Sequence, residues 1–474
     1  MHQRDSNRFT LYGCCVCIWI LISPFQYGFH ISALNQLQSV ITCRKTGGLV
    51  DFWLGIPTCV RMTDAQFSAV TASFTAGGLV GSLAGNVLQE NYGRKGALRI
   101  HAALIALGAG MMTIAASITV LFLGRFIIGI AVGIGVCVAP VFIGEIAPAT
   151  IKGSVGVLTQ MSIVIGVLIT QSLGIALASP FHWRFVTLFS FALALQQIIF
   201  SGLITESPAW LSANKLELEA RKVAAGLWGT VPAFLPSKIS LSTVATPFTR
   251  NVDVTDDPED PLLEGGPDDH IPVTHIPALS VHQIIQAPEL RNAVLIMTYV
   301  MIAQQFSVLY YSNDILAKTL PDLASFVSLG ITLVNALMTF PPIFLIESLG
   351  RKSLLKISIG GSLLSLLLVG YGINAGLKIL SSVAIMAFVA SFACGLGPVP
   401  FVIISDVAPY HAVSALSSVA LSINWVTNFI VGLVFLPLRN LLAGGEASRE
   451  GRVFYVFAGL LAVFSLVFSR VYKG

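Results

Sequence analysis

Charge is what this chain has little of. Among 474 residues only 11% are charged, with 27 Lys and Arg against 23 Asp and Glu, while 55% are hydrophobic, and the mean hydropathy is +0.82. A water-soluble chain of this composition would expose a massive apolar surface, so lipid is the solvent for most of it. Chemical signatures are missing too. There is no Gly-Lys-Ser/Thr phosphate loop, no His-Glu-X-X-His helix and no triad-like grouping of Ser, His and Asp, so an enzyme is not expected and no catalytic residue, metal ligand or cofactor is assigned. No Asn-X-Ser/Thr acceptor occurs, so N-glycosylation is not expected either. The formal charge of +4 reflects topology and implies no nucleic-acid partner.

What is present is a pattern stated twice. Gly93-Arg94-Lys95 returns as Gly350-Arg351-Lys352, and Glu145-Ile146-Ala147-Pro148 returns as Asp406-Val407-Ala408-Pro409. A bilayer core about 30 Å thick needs roughly 20 apolar residues per crossing. Twelve such stretches occur, at 11–34, 66–88, 98–120, 121–144, 153–178, 183–204, 291–312, 323–346, 353–375, 377–400, 412–437 and 453–471. Each repeat falls at the same place in its half. The expected fold is therefore an all-α membrane protein of twelve transmembrane helices in two pseudo-symmetric six-helix bundles, residues 1–204 and 291–474, with a site between them. The first stretch is too long for a cleaved signal and carries Gln26, His30 and Asn35. Lys and Arg crowd the loops that would be inside if both termini are cytoplasmic, which sets the expected orientation. Residues 205–290 form the expected cytoplasmic linker: a short amphipathic helix around 217–222, then an acidic, Pro- and Gly-rich run at 253–269 that cannot bury enough apolar area to fold alone. Within it, Glu259-Asp260-Pro261-Leu262-Leu263 faintly resembles a sorting string of the kind that short acidic linkers also produce by chance.

Polar residues inside the apolar stretches mark the bundle interior, because hydrocarbon penalises them elsewhere. The fifth stretch carries Thr159, Gln160, Thr170 and Gln171; the seventh Gln304, Gln305, Ser307, Tyr310 and Tyr311; the eighth Asn335; the eleventh Asn424, Trp425, Thr427 and Asn428. Any one amide serves equally well as a helix-to-helix hydrogen bond. The set, spread over both halves and uncharged, suits a polyhydroxylated neutral solute, with an aromatic face against the ring C–H surface. His30 and Arg125 break this neutral pattern and are the coupling candidates, His30 because imidazole titrates near physiological pH. At the repeated turns, Arg94 and Lys95 are placed to bridge to Glu145 and Glu206, and Arg351 and Lys352 to Glu347 and Asp406; with Glu90 and Lys152 these form an expected inner gate. Tyr310 and Tyr311 are gate residues on the seventh stretch, and Gly395 through Pro400 should interrupt the tenth helix as a hinge. Cys43 and Cys59 share the first outside loop, where an oxidising compartment would let them pair.

These residues resemble the sugar porter branch of the major facilitator superfamily, especially its glucose facilitators. The resemblance is carried by Gly124-Arg125-Phe126-Ile127-Ile128-Gly129, by Pro140 through Pro148 with Lys152-Gly153, by Glu206-Ser207-Pro208, and by Asn424 through Gly432. It implies a hexose carrier working by alternating access, with Gln160, Gln304, Gln305, Asn335 and Asn428 at sugar-contacting positions. Phe401 stands where the family usually has Trp. Four residues, the family's Gly-Ile-Asn-Ala, are absent between Gln304-Gln305 and Tyr310-Tyr311, removing about 6 Å of rise and about 400° of turn. His30 falls where proton-coupled relatives carry Asp and facilitators Asn, so uniport is the expectation, with proton symport through His30 and Arg125 as the rival and a non-transporting sugar receptor as the third reading. The expected partners are a small sugar, the bilayer and, under symport, protons; the expected location is the plasma membrane, then an endosomal or vacuolar one.

Overall fold

The computed structural model describes residues 8–45, 51–53, 55–229, 278–306, 324–446 and 449–471. Ser307, Tyr310, Tyr311, the acidic run and the sorting-like string lie outside the described residues.

Apolar helices dominate, each begun by local chemistry. Helix α1 (Leu11–Ser32) opens where the Thr10 hydroxyl accepts the Gly13 N–H, and a short α2 (Gln38–Ile41) follows. Thr63 and Gln66 form a capping box at the start of α3 (Asp64–Thr113), and Ser117 caps α4 (Ile118–Ile146). The two expected crossings at 66–88 and 98–120 run together in α3, whose 50 residues are broken only by Gly93 at φ 75°. Helices α5 (Lys152–Leu177) and α6 (Arg184–Phe200) complete the first half, and α7 (Pro208–Ala213) and α8 (Glu217–Trp228) follow, the latter where the amphipathic pattern places a helix. Beyond the undescribed stretch come α9 (Val281–Gln286), α10 (Arg291–Phe306), α11 (Ala324–Thr339), α12 (Pro341–Leu349), α13 (Arg351–Asn374), α14 (Lys378–Cys394), α15 (Val399–Ile403), α16 (Tyr410–Ala443) and α17 (Arg452–Val471).

Among the described residues nine helical stretches are long and apolar enough to cross a membrane. Helix α3 holds two crossings, and the shorter α10 and α17 stand at the seventh and twelfth positions, giving the expected twelve crossings. Among the described residues the two short strands Phe52–Trp53 and Ile56–Pro57 pair antiparallel, in the loop closed by a Cys43–Cys59 disulfide with Cα atoms 5.2 Å apart. Large apolar side chains such as Ile199, Leu337 and Leu433 point outward, as lipid contact requires.

Small residues let the helices approach. At Gly81 a Cβ would run into the Ile130 backbone, so α3 and α4 pack backbone to backbone there. The two halves meet along two seams, α16 against α3 and α4, and α5 against α11, α12 and α15.

Candidate functional site

Between these seams lies a cavity of about 240 Å³. Helix α5 contributes Gln160 and Gln171; α10, Gln304 and Gln305; α11, Thr332 and Asn335; α15, Phe401; and α16, Asn424 and Trp425. None of the described residues that line it is charged. Gln160 stands eight residues into α5 from Lys152, about 12 Å of rise, so the cavity is set back from the ionic residues at the start of that helix.

The amides are not equivalent. Gln304 donates its Nε2 to the carbonyls of Leu396 (3.0 Å) and Gly397 (3.1 Å), where α14 ends and the chain breaks before α15, and it accepts from Asn424 at 2.9 Å. Its amide therefore splints the interrupted helix, whose loosened carbonyls need a donor. Asn428, one turn beyond Asn424, does not line the cavity; it donates to Gln305 Oε1 at 2.9 Å from behind. Gln160, 7% exposed, is bonded to no described residue, and this leaves a donor and an acceptor facing the cavity. Asn335 Oδ1 receives only a long bond from Thr339 at 3.5 Å. Tyr27 and Thr332, which sequence reasoning did not place in the site, also line the cavity, and so does Gln171, which it counted in the polar set but not among the sugar-contacting positions. For Gln171 a signal existed: it lies eleven residues, close to three turns, past Gln160 on one helix face.

Below the cavity the repeated turns build two ionic clusters. In the first, Arg94 is fully buried; its Nε and Nη2 reach Glu145 at 3.0 and 2.8 Å, Glu90 lies 3.7 Å away, and Nη2 also donates to Ser414 on α16 at 3.2 Å. Glu206 was expected to pair with the Arg94 and Lys95 side chains, but it accepts instead from their backbone N–H groups, at 2.9 and 3.1 Å, and from that of Ser207 at 2.8 Å. The left-handed turn at Gly93 begins a new helical run whose first N–H groups lack partners, and a carboxylate satisfies them. Burial pushes the Glu206 carboxyl up from the usual carboxylate range, while the N–H donors pull the other way. In the second cluster, Asp406 is shared: Arg351 Nε lies at 3.2 Å and Lys152 Nζ at 3.2 Å. Glu347 takes Arg351 at 3.0 Å and the Gly153 N–H, at the start of α5, at 2.7 Å. Lys352 is half-buried beside Arg351.

His30 and Arg125 sit away from the cavity lining. The Ser190 hydroxyl gives its proton to Gln26 Oε1 at 2.8 Å, so His30 Nε2, 2.6 Å from the same oxygen, is the donor and Nδ1 is left bare and unpartnered. Arg125 donates to the His30 carbonyl, not its ring, at 2.9 Å, and its guanidinium lies over the Phe74 ring at 4.4 Å. Among the described residues no carboxylate lies within 4 Å of Arg125.

A family profile described as "Sugar (and other) transporter" matches residues 16–472. Among similar chains, a "Probable metabolite transport protein" of Saccharomyces cerevisiae is 28% identical over 95% of this chain and 90% of its own. The human "Solute carrier family 2, facilitated glucose transporter member 3" is 28% identical over 94% and 86%. In fold, the chain is similar to the proton:xylose symporter XylE bound to 6-bromo-6-deoxy-D-glucose, with a TM-score of 0.72, 18% identity and 96% of each chain covered.

Proposed function

Because the chain belongs to the sugar transporter family of the major facilitator superfamily, we propose that it carries a neutral hexose or related polyol down its gradient by alternating access, as a uniporter. The observation that carries this reading is a cavity walled by both halves whose described lining residues carry no charge, with the amide of Gln160 bonded to no described residue. A carboxylate or cationic solute would need a counter-charge in that wall, and a sugar hydroxyl needs only amides and hydroxyls. The ionic clusters close the face below the cavity, which with cytoplasmic termini is the inward face. Inward opening would break the Lys152–Asp406 and Glu347–Gly153 links between the halves.

Uniport is favoured over proton symport by the surroundings of His30. A proton on its Nδ1 would add a second positive charge near Arg125 with no described carboxylate to balance either. Labelled hexose uptake into proteoliposomes, with and without an inward-directed proton gradient, tests this. The expected result is equilibration to the outside concentration in both cases; accumulation above it that collapses with a protonophore would establish symport instead.

A further inference from the structure

Arg125 is a buried cation without a described carboxylate partner. Its guanidinium has one described hydrogen bond, to the His30 carbonyl, its Nε is unpartnered, and its remaining contact is the face of Phe74 at 4.4 Å. Phe74, on α3, is 3% exposed and makes a T-shaped contact with Trp425, on α16, with ring centroids 5.7 Å apart and planes at 77°. Trp425 belongs to the other half and forms part of the cavity wall. It is held in a slot of the first half: Tyr27 meets it edge-on at 5.7 Å, and Gly78, one turn from Phe74, lies so near that a Cβ there would come within 2.6 Å of the indole. Cavity wall, Trp425, Phe74, Arg125 and the α1 backbone are thus one continuous row of contacts across the seam between the halves.

We infer that Phe74 is a positioning residue that transmits the seating of Trp425, and so the closing of the halves around a solute, to Arg125 and the α1–α4 pair. The physical basis is the ring's quadrupole. The electron-rich face attracts the guanidinium, and the T-shaped contact with the indole holds the plane of the ring, so one ring orientation serves both contacts. When the halves rock and Trp425 leaves its slot, the ring loses the contact that fixes it, and Arg125 loses the surface that compensates its burial. The row stands in for a carboxylate as the element that senses the state of the cavity.

This inference rests on the carrier reading, and the test keeps the two apart. Phenylalanines bearing one, two and three fluorines, incorporated at position 74, preserve ring shape while progressively draining the π-face; equilibrium exchange of labelled glucose is then measured in proteoliposomes. The expected result is a stepwise fall in maximal exchange rate, reaching about fivefold with three fluorines, at unchanged KM. Phe74→Leu, which keeps apolar bulk without a ring, should lose at least as much. A flat rate across the fluorine series, or a Leu variant exchanging at the wild-type rate, overturns the inference alone; a wild-type chain that exchanges no sugar overturns the carrier reading and this one with it.

Discussion

The two copies of the basic turn share a sequence and differ in what surrounds them. In the first copy the side chains of Arg94 and Glu145 are 0% and 9% exposed; in the second those of Arg351 and Asp406 are 23% and 25% exposed. The first pair is braced within its own half by Glu206 on the helix start and reaches the opposite half by a neutral contact, to the Ser414 hydroxyl. The second leans on the opposite half, because Asp406 also holds Lys152 and Glu347 also caps α5. The two copies thus form a clamp in one place and a latch in the other. A buried pair costs much to break because the survivor is stranded in low dielectric, whereas a half-exposed pair reopens to water at little cost. A part that must hold through the transport cycle belongs in the first environment, and a part that must open belongs in the second.

Arg94→Ala should produce the largest loss, about 3–5 kcal/mol, by leaving Glu145 buried and unpaired. Arg351→Ala should cost about 1 kcal/mol or less. Thermal melting of the two variants in detergent checks the ranking, and equal melting losses would erase the distinction between clamp and latch. Gly93→Ala comes next. Both Gly93 and Gly350 have a left-handed φ, at 75° and 79°, but a Cβ at Gly93 collides with the Glu206 carboxylate while one at Gly350 meets nothing within 4 Å. The expected costs are about 3 kcal/mol at position 93, strain plus collision, and about 1–2 at position 350, strain alone, read by the same melts.

Asp406→Asn should leave folding almost intact and loosen the latch by about 1 kcal/mol, a roughly fivefold population shift toward the state opening on the ionic face. Labelling of a cysteine introduced beside Gln160, from that face, would report it; unchanged labelling would mean that the latch does not set the balance. The smallest effect concerns pH. The carboxyl of Glu206 is raised in the folded state, so its contribution to stability is fully present below the unfolded pKa and lost as pH rises through the folded one. Glu206→Gln, which keeps an acceptor for the N–H groups, should flatten that part of the stability–pH curve between acid and neutral pH. A curve parallel to the wild type would assign the dependence to other groups.

Much of this was legible in the chain. The repeated turns, the spacing of apolar stretches and the pairing of Arg94 with Glu145 and Arg351 with Asp406 follow from residue types at fixed intervals. The break before Val399 follows from Gly395, Gly397 and Pro398, and Cys43 and Cys59 pair as their shared loop allowed. What was not legible depends on backbone geometry. That Glu206 would satisfy N–H groups rather than cations depends on a left-handed φ at Gly93 turning those groups toward it. That Gln304 would be consumed by the carbonyls of Leu396 and Gly397, while Gln160 is left unengaged, depends on which amide faces the broken helix; both are simply Gln in an apolar run. The splitting of Asn424 and Asn428 into a wall residue and a support behind Gln305 is likewise a matter of depth along one helix face.

The most direct measurement of the whole account is competition against labelled glucose exchange in proteoliposomes by neutral and charged analogues. A cavity whose described lining residues carry no charge predicts that hexoses and polyols compete while hexuronates and hexosamines do not. Charged analogues competing as strongly as glucose, or an absence of hexose exchange altogether, would contradict it.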